Sequence, residues 1–124
     1  RSLEETIPFY RDILGMTLEG IEVVPDQKVK VAFFLAGQTR IELLEATSED
    51  SPISKFVAER GGGIHHLALR TEDVSAEIAR MQEHQIRMID STPRGGAHHT
   101  RIAFIHPKAA HGVLLELTEE SSEK

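Results

Sequence analysis

Two glutamates stand at similar places in the two halves of the chain, and each has an aliphatic residue on either side. These are Glu42 and Glu116. Because side chains alternate between the two faces of a β-strand, each carboxylate would point away from its aliphatic neighbours. Such positions usually face solvent on amphipathic strands, and that simple interpretation stays open at this point. The recurrence of one residue type at the same place in both halves favours a shared functional site instead.

A histidine pair adds a nitrogen ligand to the two carboxylates. His65 and His66 lie in an apolar segment, and we expect His66 to share a face with Ala68 while His65 points the other way. A single strand histidine is more often structural than a ligand. Two carboxylates and one neutral imidazole nevertheless form a donor set suited to cobalt, manganese, nickel or zinc. The pattern predicts one divalent metal ion held by Glu42, His66 and Glu116.

The composition narrows the possible chemistry further. The chain has 124 residues and no cysteine, which excludes disulfides, thiolate catalysis and thiolate metal sites. A formal net charge of −6 and an aromatic content of 5% argue against nucleic-acid binding. No apolar run approaches the ~18 residues of a membrane span, and the polar start does not resemble a signal peptide. We expect a soluble, cytoplasmic protein that acts on a small molecule or a partner protein.

An amphipathic helix is expected at the start of the chain. Ser2 is a good N-cap, and Gly15 is typical of a residue that ends a helix. Pro8 lies in the second turn, where it should kink the helix without breaking it. The predicted apolar stripe consists of Leu3, Ile7, Tyr10, Ile13 and Leu14.

The second half repeats the order of elements found in the first. Apolar alternation and turn residues predict first-half strands at 16–24, 29–36 and 39–46, a polar stretch, a short helix at 53–60 and a glycine joint at 61–63. In the second half we expect a strand at 64–70, a helix capped by Asp73, and strands at 86–89, 100–105 and 112–118.

The two halves are offset by a measurable number of residues. The caps Ser2 and Asp73 lie 71 positions apart, whereas the two glutamates lie 74 positions apart. We expect the three extra residues in the longer second-half loop around Pro93. The strand at 64–70 has no counterpart in the first half, so we expect the chain to begin after the first strand of its first module.

These elements predict an α+β fold in which two βαβββ modules form one curled sheet, shaped like a cup. We assign residues 1–124 to a single domain. Its predicted parts are module 1 at 1–46, a linker helix at 47–62, module 2 at 63–118 and a frayed polar tail at 119–124.

Six short segments carry a family resemblance. They are QKVKVAF at 27–33, IELLE at 41–45, SPISKF at 51–56, GIHHLA at 63–68, FIHPK at 104–108 and GVLLEL at 112–117. Their order and spacing resemble the vicinal oxygen chelate (glyoxalase/bleomycin-resistance-like) superfamily and, within it, the methylmalonyl-CoA epimerase family. The resemblance covers nearly the whole chain.

The resemblance implies a metal site with four ligands and a proton-transfer reaction. Glu42, His66 and Glu116 match the family's ligands on its fourth, fifth and eighth strands, and we expect the first-strand histidine ahead of Arg1. The implied reaction is epimerisation of methylmalonyl-CoA, in which the proton between thioester and carboxylate is removed and returned. Glu116 is the candidate for one base, and the second base is left unassigned.

The resemblance also suggests where a substrate would bind. Gly96, Ala97 and His98 resemble part of a loop that closes over the substrate carboxylate, although an ordinary polar loop has the same composition. Arg101 and Lys108 could contact coenzyme A phosphates or could be solvated charges. The implied partner is a small acyl-CoA substrate, and we expect a homodimer that binds neither nucleic acid nor membrane.

Two other classes of function stay open. A glyoxalase I-like lyase has similar ligands, and a ring-cleaving dioxygenase would require two histidines and one carboxylate, one carboxylate fewer than is expected here. A non-catalytic protein that sequesters a small molecule would be expected to lack at least one inner ligand. All three visible ligands are present, which argues against the binding interpretation, whereas substrate contacts or an assay would be needed to separate the lyase from the epimerase.

Overall fold

The computed structural model describes residues 2–120. Its contacts separate two units, of which the first unit ends at Gly63 and the second unit begins at Ile64. Each unit combines helices with a small β-sheet, which confirms the predicted α+β class. In the described part of the chain, no helix is both long enough and apolar enough to cross a membrane.

The first unit contains a three-stranded antiparallel sheet in the order β1-β2-β3. Its elements are α1 (Leu3–Pro8), β1 (Thr17–Val24), β2 (Val29–Ala36), β3 (Thr39–Ala46) and α2 (Pro52–Arg60). The bounds predicted for β2 and β3 are confirmed. A two-residue turn joins these strands, and Gly37 in that turn adopts a φ of 66°, which glycine tolerates better than other residues.

Pro8 changes the first helix more than its position predicts. Proline has no N–H, so α1 ends there and the backbone continues as a π-helical turn, Phe9–Ile13. In this turn the Leu14 N–H donates to the Phe9 C=O over 3.0 Å. Because this turn is wider, the side chains that follow no longer point in the directions that a continuous α-helix would give them. Ile13 and Leu14 are 74% and 53% exposed, so the prediction that they continue the apolar stripe of Leu3 and Ile7 is wrong.

The second unit contains a four-stranded sheet in the order β4-β7-β6-β5. Its elements are β4 (Leu67–Arg70), α3 (Val74–Glu83), β5 (Arg94–Gly95), β6 (Arg101–Ile105) and β7 (Leu115–Glu119). β4 runs parallel to β7, and the other neighbouring strands are antiparallel. β7 includes Glu119, which the sequence assigned to the tail, and residues 121–124 of that tail lie outside the described residues.

The strand predicted at 86–89 is not formed. Met88 makes only an isolated bridge with Ile105. The carboxylate of Asp90 accepts the Phe104 N–H over 2.8 Å, so a side chain satisfies this backbone donor in place of a strand partner. The segment therefore runs beside β6 without adding a regular strand to the sheet.

The cores of the two units use residues that lie 71 positions apart in the sequence. The equivalent pairs are Leu3 with Val74, Ile7 with Ile78, and Ala32 with Ala103. All six are buried, with exposures between 0% and 8%. In each unit the first helix packs against the same inner strand through these positions.

The three extra residues of the second half lie between β6 and β7. Leu43 pairs with Ala32 and Leu117 pairs with Ala103, so the offset changes from 71 to 74 between the inner strand and the next one. The expectation that the extra residues lie in the loop around Pro93 is therefore wrong. A 3-10 turn, Pro107–Ala110, occupies the β6–β7 connection where the first unit has a two-residue turn.

A glutamate ties the start of the helix to the last strand in both units. Glu45 Oε1 accepts the Leu3 N–H over 2.7 Å, and Glu119 Oε1 accepts the Val74 N–H over 2.8 Å. The predicted side-chain caps at both helix starts are also present. A carboxylate at a helix N-terminus is favoured by the unpaired N–H groups and by the helix dipole. These ties fix β3 and β7, the strands that carry Glu42 and Glu116.

Candidate metal centre

His66 and Glu116 form a close pair in the second unit. His66 Nε2 lies 3.2 Å from Glu116 Oε1, and each side chain is 15% exposed. Glu116 is held in β7, where it pairs with Ala68 of the parallel strand β4. His66 directly precedes β4, and the Leu67 N–H donates to the Leu114 C=O over 3.1 Å at this junction. The fold thereby brings together two possible metal ligands, one nitrogen and one oxygen, from residues fifty positions apart in the chain.

The spacing of these two atoms suits ligands of a single metal ion. Two ligands with bonds of about 2.0–2.2 Å to a zinc-like ion are about 2.8–3.6 Å apart, from octahedral to tetrahedral angles. The observed separation of 3.2 Å falls in this interval. Imidazole and carboxylate are donor types that borderline divalent ions accept. The pair therefore fits a divalent ion in both distance and chemistry.

Phe104 forms an apolar wall beside the pair. It lies opposite Glu116 in the β6–β7 ladder, and its ring contacts His66 edge-on, with centroids 5.5 Å apart and an interplanar angle of 81°. The Arg94 guanidinium lies 5.2 Å from the Phe104 centroid and 3.3 Å from an Asp90 oxygen. Apolar surroundings limit water at the pair, which strengthens electrostatic interactions there. The sequence prediction did not name Phe104 as a residue of the site.

His65 does not point away from His66. The two Nδ1 atoms are 3.0 Å apart, and the rings are perpendicular with centroids separated by 5.2 Å. The prediction that His65 points the other way is wrong because β4 begins only at Leu67. Strand alternation does not apply to the residues before it. His65 is therefore a neighbour of the candidate ligand, and two adjacent histidines alone do not reveal this.

Glu42 occupies the corresponding position in the first unit. It is an exposed residue of β3 and lies opposite Phe33, as Glu116 lies opposite Phe104. The Arg40 guanidinium lies 6.0 Å from the Phe33 centroid, a weaker version of the Arg–Phe contact in the second unit. The two units thus share a cross-strand Phe–Glu pair at the position of each predicted carboxylate ligand.

The complete three-ligand site stays a prediction. Among residues 2–120, no group of three or more His, Asp and Glu side chains is placed to hold a metal ion. The second unit brings His66 and Glu116 together, and Glu42 belongs to the first unit.

The candidate substrate loop is a closed turn. Gly96 N–H donates to the Thr100 C=O over 3.0 Å, and the Thr100 hydroxyl donates to the Ala97 C=O over 2.8 Å. His98 and His99 have φ values of 56° and 60°, a left-handed conformation that is uncommon for residues other than glycine. Such backbone often occurs at binding sites. The substrate-binding role of Gly96, Ala97 and His98 stays a prediction.

Arg101 and Lys108, the two basic residues considered for coenzyme A phosphate binding, differ in their surroundings. Arg101 lies 3.6 Å from Glu119, the carboxylate that holds the start of α3, which favours a structural role over phosphate binding. The Lys108 N–H donates to His106 Nδ1 over 3.1 Å in the β6–β7 turn. Partial burial, together with the charges of Arg87 and Lys108, lowers the pKa of His106.

Comparison with known proteins adds sequence and structural relatives. Residues 1–104 match the family described as Glyoxalase/Bleomycin resistance protein/Dioxygenase superfamily. An ethylmalonyl-CoA/methylmalonyl-CoA epimerase from Cereibacter sphaeroides is 38% identical over 119 residues, which cover 94% of this chain and 89% of that protein. A Streptomyces coelicolor methylmalonyl-CoA epimerase variant in complex with 2-nitronate-propionyl-CoA has a TM-score of 0.94 at 37% identity, covering 98% of this chain and 89% of that one. The methylmalonyl-CoA epimerase from Mycobacterium tuberculosis has a TM-score of 0.93 at 38% identity, with coverages of 98% and 83%.

Proposed function

The chain belongs to the glyoxalase/bleomycin resistance protein/dioxygenase superfamily and, within it, to the methylmalonyl-CoA epimerase family, and we propose that it interconverts the 2R and 2S forms of methylmalonyl-CoA. The family resemblance expected from the six segments is thereby confirmed. The observation in this chain that carries the proposed activity is the partly buried His66–Glu116 pair, with its donor atoms 3.2 Å apart.

The proposed substrate class is a small acyl-CoA. One solved relative, a methylmalonyl-CoA epimerase with 37% identity and a TM-score of 0.94, is in complex with methylmalonyl-CoA and NH4+. We assign the turn containing Gly96, Ala97 and His98 to the substrate carboxylate, and its left-handed backbone at His98 supports this assignment. A homodimeric state and a cytoplasmic location stay predictions, which light scattering and cell fractionation would test.

We propose that one divalent ion, either cobalt, manganese, nickel or zinc, is held by Glu42, His66 and Glu116. Enzymes of this superfamily use divalent metal ions. The support in this chain is the distance within the His66–Glu116 pair and the recurrence of the Phe–Glu arrangement at Glu42. When bound, such an ion supplies Lewis-acid stabilisation for the negative charge that forms on the thioester oxygen.

Glu116 is the proposed base on one face of the substrate. Its Oε1 faces His66, and we assign Oε2 to accept the α-proton, while the C–H electron pair forms a carbon–carbon double bond and the carbonyl π pair moves onto the thioester oxygen. A second acid, which stays unassigned in this chain, returns a proton to the opposite face of the same carbon and so inverts its configuration. The wall formed by Phe104 favours this step, because an apolar neighbour strengthens the electrostatic interactions that stabilise the developing charge.

Two matched glutamate substitutions test the assignment. Glu116→Gln keeps the size and one acceptor oxygen but removes the basicity. We expect modestly weaker metal binding and a loss of about 10²–10⁴-fold in exchange of the substrate α-proton with solvent deuterium, even at saturating metal. Glu42→Gln keeps an oxygen donor and has no assigned proton transfer, so its exchange rate should stay close to that of the parent chain.

The measurement is deuterium wash-in to methylmalonyl-CoA, followed by mass spectrometry, with metal content determined on the same samples. Equal and small effects of Glu116→Gln and Glu42→Gln would remove Glu116 from catalysis. A parent chain that binds metal but gives no wash-in would contradict the epimerase assignment and favour the lyase or binding interpretation.

A further inference from the structure

We propose that His65 is a positioning residue for the metal ligand His66, an inference that rests on the proposed function. The observation that carries it is the 3.0 Å separation between the two Nδ1 atoms. This is a normal length for a hydrogen bond between nitrogens, and both residues are partly buried. Because two bare nitrogen lone pairs would repel each other, one Nδ1 must carry a hydrogen and the other must accept it.

His66 is restrained at both of its nitrogens and along one edge. Nε2 faces Glu116 at 3.2 Å, Nδ1 faces His65, and the ring meets Phe104 nearly at right angles. Once Cγ is fixed, an imidazole turns only about its Cβ–Cγ bond. Contacts at both nitrogens therefore define the rotation of the ring, and hence the direction of the lone pair that would bind a metal ion.

The contacts also determine which nitrogen of His66 carries the hydrogen. When Nε2–H donates to Glu116, the neutral ring has a bare Nδ1, which must accept from His65 Nδ1–H. A neutral His66 that binds metal through Nε2 carries its hydrogen on Nδ1 and donates it to His65, whose own hydrogen then lies on Nε2. Each ring holds one hydrogen in both arrangements, so only the positions of the hydrogens change.

These two arrangements define the requirements for a functional partner at position 65. The partner must be able to donate to His66 Nδ1 in one arrangement and accept from it in the other. Metal-binding histidines generally donate their second ring N–H to such a partner, and loss of the partner weakens metal binding by about 10–100-fold. A ring without polar atoms should therefore fail at this position even if it packs equally well.

The test measures Zn²⁺ affinity of the full chain by competition with a chromophoric chelator. His65→Phe keeps an aromatic ring and should weaken Zn²⁺ binding by about 10–100-fold. His65→Asn offers both a donor and an acceptor and should remain within about threefold of the parent. His84→Phe makes the same change at an exposed histidine that ends α3, and it should have no effect.

Histidine ¹⁵N NMR of the unaltered chain provides a second readout that does not depend on any variant folding. With Zn²⁺ bound, we expect metal at His66 Nε2, hydrogen on His66 Nδ1 and hydrogen on His65 Nε2. Metal binding through His66 Nδ1 would overturn the proposal. So would a folded His65→Phe chain with the affinity of the parent, and that result would leave the proposed function intact. A parent chain that binds no Zn²⁺ and gives no deuterium wash-in with any of the four candidate metals would overturn both.

Discussion

Gly96 is packed so closely that one added methyl group should displace its neighbours. A Cβ at this position would lie 2.7 Å from Thr100 Oγ1 and 2.8 Å from Ile102 Cγ2. Ile102 is 2% exposed, so its side chain has little room to move in a densely packed interior. Displacement of the Thr100 hydroxyl would also disturb its 2.8 Å hydrogen bond to Ala97.

We expect Gly96→Ala to lower the free energy of unfolding by about 1–3 kcal/mol, the range found when a methyl group is inserted into a packed site. For a chain of this size the corresponding decrease in Tm is about 3–10 °C. Gly96 has a φ of −120°, which alanine adopts readily, so the loss would come from steric overlap and not from backbone strain.

Gly95→Ala is a control in the adjacent residue. A Cβ at Gly95 would have no other heavy atom within 4 Å, and the change should alter stability by no more than about 0.5 kcal/mol. Urea and thermal unfolding of both variants would measure the difference. Equal losses at Gly95 and Gly96, or no loss at Gly96, would refute the packing argument.

Three other measurements test the helix tie, the β6–β7 turn and the proposed metal ligands. Glu119→Ala should lower the free energy of unfolding by about 1.5–3 kcal/mol, because it removes a charged acceptor from the first N–H of α3, and urea unfolding against the exposed control Glu120→Ala would measure this. Burial, Arg87 and Lys108 lower the pKa of His106, so the stability it contributes should be complete above about pH 6.5 and lost as the pH falls through the lowered value. His106→Asn keeps a side-chain acceptor and should flatten this part of the profile; an unchanged profile would contradict the assignment. Zn²⁺ affinity should fall between about pH 8 and pH 5, because protons compete for the imidazole and carboxylate ligands, and constant affinity would exclude a histidine ligand.

The strands and helix caps of this chain are predictable from sequence because their signals are local. β2 and β3 follow from apolar residues on both sides of a glycine turn, and their bounds agree with the prediction. Ser2 and Asp73 cap their helices because their side-chain oxygens accept N–H groups three residues later. The residues that signal each of these features lie within or directly beside the element that they specify.

Other features depend on contacts that the local pattern does not contain. The segment expected as a strand at 86–89 keeps only an isolated bridge to β6, and the Phe104 N–H donates to the Asp90 carboxylate, fourteen residues away. The π-helical turn after Pro8 depends on how the chain accommodates a missing donor, for which several geometries are available. Both cases alter the backbone, and the helical and strand periods then no longer indicate which side chains are buried.

In the candidate site, too, some features follow from the sequence and others depend on contacts that the local pattern does not contain. The His66–Glu116 contact was expected because the residue types match a metal donor set, and the second unit places their donor atoms 3.2 Å apart. The contact between His65 and His66 does not follow from the sequence, because strand alternation does not hold for a residue that precedes β4. If the strand is predicted to begin further from the three glycines, strand alternation does not apply to His65. The direction of its side chain then stays open.

Strand parity explains how similar glutamates on one strand acquire different roles. Glu42 and Glu45 are three residues apart in β3, as Glu116 and Glu119 are in β7, so the members of each pair lie on opposite faces. The later glutamate of each strand binds the helix N-terminus, on the face that packs against the helix. The earlier glutamate shares the other face with a phenylalanine of the neighbouring strand. The helix thus anchors each strand from one side and leaves the opposite face to the carboxylates for which we propose metal binding and proton transfer.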